Sequence, residues 1–303
     1  MGNPTWMGAV TQNIGKMRAR GWELSLNWRD KVNDFGYDIG VQLSGVRNKA
    51  IKFSGDGPVW AGDGLSESII KNEDGGLISR FFGYQADGLF QNWEEVYAHT
   101  DEHGTLIQPD AQPGDIRFID QDHNGKLDND DKVYIGNPYP KLMMGINLGF
   151  NYKGWDFLAN FYGTFGNKIF NLQKGRYSGT SGQNIYSGTL AKAWDGEGTS
   201  NDIPRLSYND LNQNYTRVSS FFVENGDYMR CKLMTLGYTF PEAWTKQFKL
   251  RLYFSAQNLF TFTSYTGMDP ERPMYDGGVI ETGIDRANYP TPKTFIFGLD
   301  FNF

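Results

Sequence analysis

Residues 120–131 read DQDHNGKLDNDD, a run of oxygen donors at the spacing of a calcium loop. Asp120, Asp122 and Asn124 take the first, third and fifth places and offer side-chain oxygens. Gly125 is sixth, where the chain must turn sharply. Lys126 is placed to give a backbone carbonyl, and Asp128 to act directly or through water. Asp131 replaces the usual bidentate Glu, with a shorter reach. Leu127 is placed to pack inward. The expected ligands are therefore Asp120, Asp122, Asn124, Lys126, Asp128 and Asp131, and the expected ion is Ca2+. The competing reading is an acidic, solvated turn around Asn124–Gly125. A loop of this type ordinarily joins two helices, yet the flanks GDIRFI and KVYIGNPYPKLMMGINLGF read as strands.

Other chemistry is sparse. His99 and His103 in HTDEH would share a helix face and could hold zinc, but no Cys or further His supports them. His123 sits in the acidic loop at a non-ligand place. Cys231 is the single cysteine, has no CxxC partner, and reads as a small apolar filler. There is no GxSxG and no GxxxxGK[ST], and no catalytic role is expected. The long links carry Trp60, Tyr177, Tyr186 and Trp194, with Tyr208, Tyr215 and Tyr275. The first four are the candidates for contact with a substrate; the competing reading packs such rings within the loops.

The elements that position these residues are strands. The chain has 303 residues, a formal charge of -6 and 16% aromatics, with 37 Gly and only 39% hydrophobic residues. No basic run suggests nucleic acid, and no run approaches the roughly 18 apolar residues of a membrane helix. Met1 is followed by GNPTWMGAV, which lacks the basic segment and apolar core of a signal peptide. Two short helices are expected, within 91–103 and 188–197. Almost all other periodicity is of period two, in GWELSLNW, GYDIGVQLSG, LMMGINLGFNY, WDFLANFYGTF, YMRCKLMTLGYTF, KLRLYFSAQNLFTF and TFIFGLDFNF. These strands run to roughly 8–14 residues, nearer to a membrane stave than to a soluble strand. The alternation in the fifth breaks phase near Leu233, which predicts a bulge.

The links alternate in length. RDKVNDFG, KG and PEAWTKQ are short, whereas those at about 47–141, 166–225 and 264–292 are long. Short turns on one side and long loops on the other are the mark of an outer-membrane barrel. The expected fold is all-β, a transmembrane antiparallel β-barrel segment of about seven spanning strands. With the short turns periplasmic, Phe303 ends in the periplasm. Residues 54–141 then form an extracellular excursion that contains the loop 120–131. The stretch GLISRFFGYQADGLF, 76–90, falls in that excursion. The lipid face is aromatic-rich, and Lys249, Arg251, Gln257, Asp300 and Asn302 face the lumen.

Four segments together resemble one family. They are FFGYQADGLFQNWEEV, PGDIRFIDQDHNGKLDNDDKVYIGNPYPKLMMGINLGFNYKGWDF, SSFFVENGDYMRCKLMTLGYTFP and LRLYFSAQNLFTFTSYTGMDPE. In this order they resemble the C-terminal part of the SusC/RagA family of TonB-dependent outer-membrane transporters, from about residue 13 to Phe303. The resemblance implies a barrel of about 22 strands with a plug and a TonB-contacting segment. It also implies import of oligosaccharides or peptides with a SusD-like surface lipoprotein. No plug or TonB box is found in 1–303, so the chain reads as a C-terminal fragment, with TonB engaged through the missing N-terminal region. The family carries a similar acidic run, which favours a structural loop. The rival reading is a secreted, calcium-dependent, glycan-binding β-sandwich.

Overall fold

The structure, a computed structural model, describes residues 15–53, 57–176, 184–185, 187–245, 248–271 and 280–302. One sheet follows chain order: β1 (Lys16–Val32), β2 (Phe35–Lys52), β3 (Leu142–Tyr152), β4 (Trp155–Phe165), β5 (Tyr228–Thr239), β6 (Lys249–Gln257) and β7 (Thr294–Asn302). Every neighbouring pair is antiparallel. A short strand, Thr261–Thr263, continues the line of β6 beside β5. The long strands thus form a single meander and not two facing sheets, which corrects the sandwich alternative. No described helix is long and apolar enough to cross a membrane.

Cross-strand register converts the period-two pattern into two chemically distinct faces. One row runs Trp28, Ile39, Leu148, Ala159, Met234, Ala256 and Phe295 across all seven strands. The next runs Tyr37, Phe150, Phe157, Leu236, Phe254 and Phe297. Large side chains of these rows are exposed, Trp28 at 64% and Phe297 at 83%, whereas the small Ala159 and Ala256 are buried. At the short-turn end lies an aromatic row of Phe35, Tyr152, Trp155 and Tyr238, with the Trp155 and Tyr238 rings 4.8 Å apart.

The opposite face is polar. Arg251 on β6 reaches Asp156 on β4 at 2.7 and 2.9 Å and Asp300 on β7 at 2.9 Å. Gly237 on β5 lies beneath this bridge, where a Cβ would stand 2.6 Å from both Arg251 Nη2 and the Asp156 carboxylate. Glycine here is what lets β6 and β4 join over β5.

The first turn is tighter than the sequence suggested. RDKVNDFG shrinks to the pair Asn33–Asp34, with Val32 opposite Phe35. Lys153 and Gly154 both have positive φ, +45° and +87°, as a two-residue type I′ hairpin requires. The phase break lies where expected: Asn160 pairs with Leu233 but Phe161 pairs with Cys231, so Lys232 is the extra residue.

At the other end the long links fold together. Residues 76–90 lie off the main sheet and give the short strands Phe81–Tyr84 and Ala86–Leu89. A core of Ile69, Ile70, Phe81, Phe170, Leu172, Val218, Phe222 and Ile284 draws on all three long links. Phe170 stacks on Phe222 at 5.2 Å and meets Phe81 edge-on at 5.6 Å. Each such buried ring or branched side chain stabilises the layer by about 1.5–3 kcal/mol. Residues 54–141 are therefore not a self-contained unit. The two expected helices are brief, at Trp93–Ala98 and Ser187–Leu190.

Candidate metal centre and loop cavity

The acidic loop runs from the end of strand Ile116–Phe118 to the start of strand Lys132–Gly136. Backbone amides fold around Asp120: Gly125 donates at 2.8 Å and Asn124 at 3.3 Å. Gly125 has φ +80°, and a Cβ there would lie 2.6 Å from that of Asp101, so no other residue fits without a shift. A 3-10 turn, Asn129–Asp131, closes the loop and is capped by Asp128. Asp131 ties the two ends together, accepting the Gln121 and Asp128 amides at 2.7 Å each. Leu127 packs against the cluster of Tyr84, Leu89, Ile116 and Phe118.

Carboxylate oxygens of Asp120, Asp122 and Asp131 all lie within 4.8 Å of one another. Burial pushes the Asp131 carboxyl up, and the charges of Asp120 and Asp122 add to that. Burial also acts to raise Asp120, but amides from Gly125, His123 and Asn124 outweigh it and hold that carboxyl below its ordinary value. Asn124 donates its amide to Asp122 at 3.0 Å and to Asp128 at 3.3 Å, and accepts the Lys126 amide at 2.9 Å. The structure therefore brings Asp120, Asp122 and Asp131 together, with Asn124 as their bridge to Asp128. Lys126 joins only through its backbone. An all-oxygen set with crowded negative charge fits a hard cation such as Ca2+.

The histidines do not form a second centre. The helix ends at Ala98, so His99 and His103 share no helical face. His99 meets Phe90 edge-on at 5.5 Å, and burial, with Arg117 nearby, lowers its pKa; His103 is exposed beside Glu102. Cys231 is buried in β5.

The aromatic candidates divide. Trp60 is 49% exposed and sits 5.8 Å from Phe82 with Lys71 near its ring. Trp194 is half-buried: its ring lies on Gly114 and packs against the Tyr84 cluster, and its indole N–H is donated to Gln91 at 3.2 Å. Tyr215 is fully buried, donating its hydroxyl to the Pro204 carbonyl at 3.0 Å, whereas Tyr208 is exposed. Tyr177, Tyr186 and Tyr275, like the Gly/Ser run 177–183 and Phe303, lie outside the described residues.

Two groupings escaped the sequence. Arg230 on β5 holds Asp269 and Glu271 at 2.6 Å each, pinning the third long link to the sheet. A cavity of about 1000 Å³ opens where the three long links meet, with Gln173, Lys174, Phe221 and Glu224 in its lining. These residues come from distant positions and carry no spacing signal.

No family model matches the chain. TonB-dependent receptor P3 of Formosa agariphila is 31% identical over 99% of it. TonB-dependent receptor SusC of Bacteroides thetaiotaomicron is 30% identical over 97%. The chain spans 30% of the first and 27% of the second. The solved RagAB peptide transporter shares the fold with a TM-score of 0.71, over 96% of this chain and 30% of that one, at 21% identity. Receptors of this kind are outer-membrane β-barrel proteins, and the apolar outer rows of β1–β7 are the surface such a location requires. The chain belongs with the TonB-dependent receptors, SusC among them, matches their C-terminal portion, shares the RagA fold there, and has its place in the outer membrane.

Proposed function

We propose that the chain forms part of the barrel wall and the outer loop layer of an importer of oligosaccharides or peptides. The observation that carries this is the pair of apolar rows, one across β1–β7 and one across β2–β7, backed by a polar face with a bridged Arg251. The outer edges of β1 and β7 have no neighbour among the described residues. Edges in lipid must be paired, so the working barrel needs further staves. In this reading the short turns are periplasmic and the loop layer is extracellular. A SusD-like lipoprotein closes over that layer, and TonB acts through a segment outside this chain. The role is passage and not catalysis. Uptake of labelled substrate by cells carrying the complete receptor tests this: uptake should fail without TonB. TonB-independent uptake, or recovery of the receptor in the soluble fraction, would overturn it.

We also propose that Asp120, Asp122, Asn124 and Asp131 hold Ca2+ as a structural clamp, with Asp128 and the Lys126 backbone completing the loop. The flanking strands leave nothing to open, so the ion stiffens a loop and does not signal. Calorimetry on chelated protein should show calcium-dependent heat that Asp131→Asn weakens at least tenfold. Saturating ion should raise the melting temperature, because a hundredfold excess over Kd adds about 2.7 kcal/mol of stability. No heat and no thermal shift would sink the proposal.

A further inference from the structure

The outward face of the β1–β2 hairpin changes chemistry abruptly toward the loop layer. Every second residue of β1 lies on the face of Trp28: Leu26, Leu24 and Trp22, then Arg20 and Arg18. Register places Arg47 of β2 opposite Arg20, and Lys49 opposite Arg18. One row further, past a shift in register, Lys16 stands opposite Lys52. All six cations are exposed, and none forms an ion pair among the described residues. Like charges directly opposite one another on a sheet are destabilising. Three such pairs in succession work against the hairpin that carries them, and an anion placed between them would relieve the repulsion.

The neighbouring carboxylates do not cancel this charge. Arg47 and Lys49 line a depression of about 330 Å³ together with Glu73, Asp74 and Arg80. Glu73 is already held by Lys71, Arg80 and Tyr134. Asp74 accepts the Phe53 amide at 2.6 Å. Four cations of the two inner rows therefore stand against the single charge of Asp74.

The level of the cluster selects the kind of anion. Trp22 and Trp28 are six residues apart, about 20 Å along the strand. Aromatic rings at two such levels bound the apolar band of a membrane barrel. Gly45 stands opposite Trp22, and a Cβ there would lie 2.6 Å from Trp22 Nε1, so the indole reaches across β2 one row below Arg47. Arg20 and Arg47 thus form the first row beyond the upper ring, at the depth of lipid headgroups. A soluble anion has no use for the apolar rows below; a lipid uses both.

We infer that this face binds the phosphate of an outer-leaflet lipid between Arg20 and Arg47, with Arg18 and Lys49 beyond it and the acyl chains along Trp22, Leu24 and Leu43. Guanidinium forks match phosphate oxygens in pairs, which suits two arginines facing each other across one row. The inference rests on the reading of the wall as lipid-facing with the loop layer outside, and adds to it a choice among lipids.

The test is native mass spectrometry of the complete, detergent-purified and delipidated receptor, titrated with dimyristoyl phosphatidic acid. Dimyristoyl phosphatidylcholine and inorganic phosphate are the comparators. Phosphatidic acid should be retained at about tenfold lower concentration than phosphatidylcholine, and inorganic phosphate in about tenfold excess should not displace it. Arg20→Gln combined with Arg47→Gln should weaken phosphatidic acid about tenfold while the receptor keeps its heat-modifiable gel migration. Lys31→Gln with Lys153→Gln removes the same charge at the short-turn end and should leave retention unchanged. Equal retention of the two lipids, displacement by inorganic phosphate, unchanged retention in the arginine variant, or an equal loss in the lysine variant would each overturn the inference. Failure of the wall reading is seen separately, as a receptor that does not fold into vesicles of phosphatidylcholine alone.

Discussion

The seven-stranded sheet and the loop layer bury their apolar side chains by opposite rules. In the loop layer Phe81, Phe170, Phe222 and Ile284 are turned inward on one another, as in a protein folded in water. In the sheet Trp28, Phe295 and Phe297 are turned outward, and the inner face is given to Arg251, Asp156 and Asp300. One chain therefore meets two solvents, lipid along its wall and water at its rim. Apolar content does not separate the regions; the direction of the side chains does.

The largest effect should come from breaking the joint between them. Arg230 stands on the sheet, and Asp269 and Glu271 stand on the third long link. Arg230→Ala leaves the almost fully buried Asp269 without its cation, while Glu271 keeps Lys232, and should cost about 3–5 kcal/mol. Heat-modifiable gel migration of the complete receptor should then convert at a clearly lower temperature. Next comes the loop core alone. Phe222→Ala should destabilise that layer by about 3–5 kcal/mol. Limited proteolysis should cut the long links while the wall stays inserted. Simultaneous loss of both regions would show that they are one cooperative unit.

A smaller effect concerns acid. Tyr134 donates to Glu73, and with Lys71 and Arg80 beside it this holds the Glu73 carboxyl below its ordinary value. A depressed carboxyl contributes stability above its unfolded pKa and loses it as pH falls through that value toward the folded one. Tyr134→Phe should therefore lower loop-layer stability slightly at neutral pH and make it less sensitive to acid below about pH 4.5, the ordinary glutamate value. The effect should be small, because Glu73 is 37% exposed and screened by water. Thermal melts across pH, read by proteolysis, measure it.

Much of the wall was legible in the sequence and little of the rim was. Period-two runs such as Phe295, Phe297, Leu299 and Phe301 state their own register, and the phase break near Leu233 states its own bulge. The first turn was drawn too long because Lys31 and Val32 look like loop, yet Gly36 and Phe35 pair with them. In the acidic loop, one short run of sequence carries the clustered carboxylates and their cap, so spacing alone could find them. The rim core joins Phe81, Phe170, Val218 and Ile284, which lie far apart in the chain and share no local pattern. Tyr215 looks solvated among Asn and Gln neighbours, but the Pro204 carbonyl receives its hydroxyl and lets it be buried. Gln173 and Trp194 were hidden for the same reason: their surroundings come from other links.

The central claim is that the outward face of the sheet meets lipid and the inward face does not. Phe157 and Leu158 are adjacent apolar residues on β4, the first on the aromatic outer row and the second between Gly149 and Thr235 on the inner face. The most direct measurement is folding of the complete receptor into lipid vesicles, with Phe157→Arg and Leu158→Arg compared to the alanine variant at each position. Arginine should cost about 2 kcal/mol or more at position 157, and about 0–1 kcal/mol at position 158. Equal costs at the two positions, or a larger cost at 158, would contradict a lipid-facing wall.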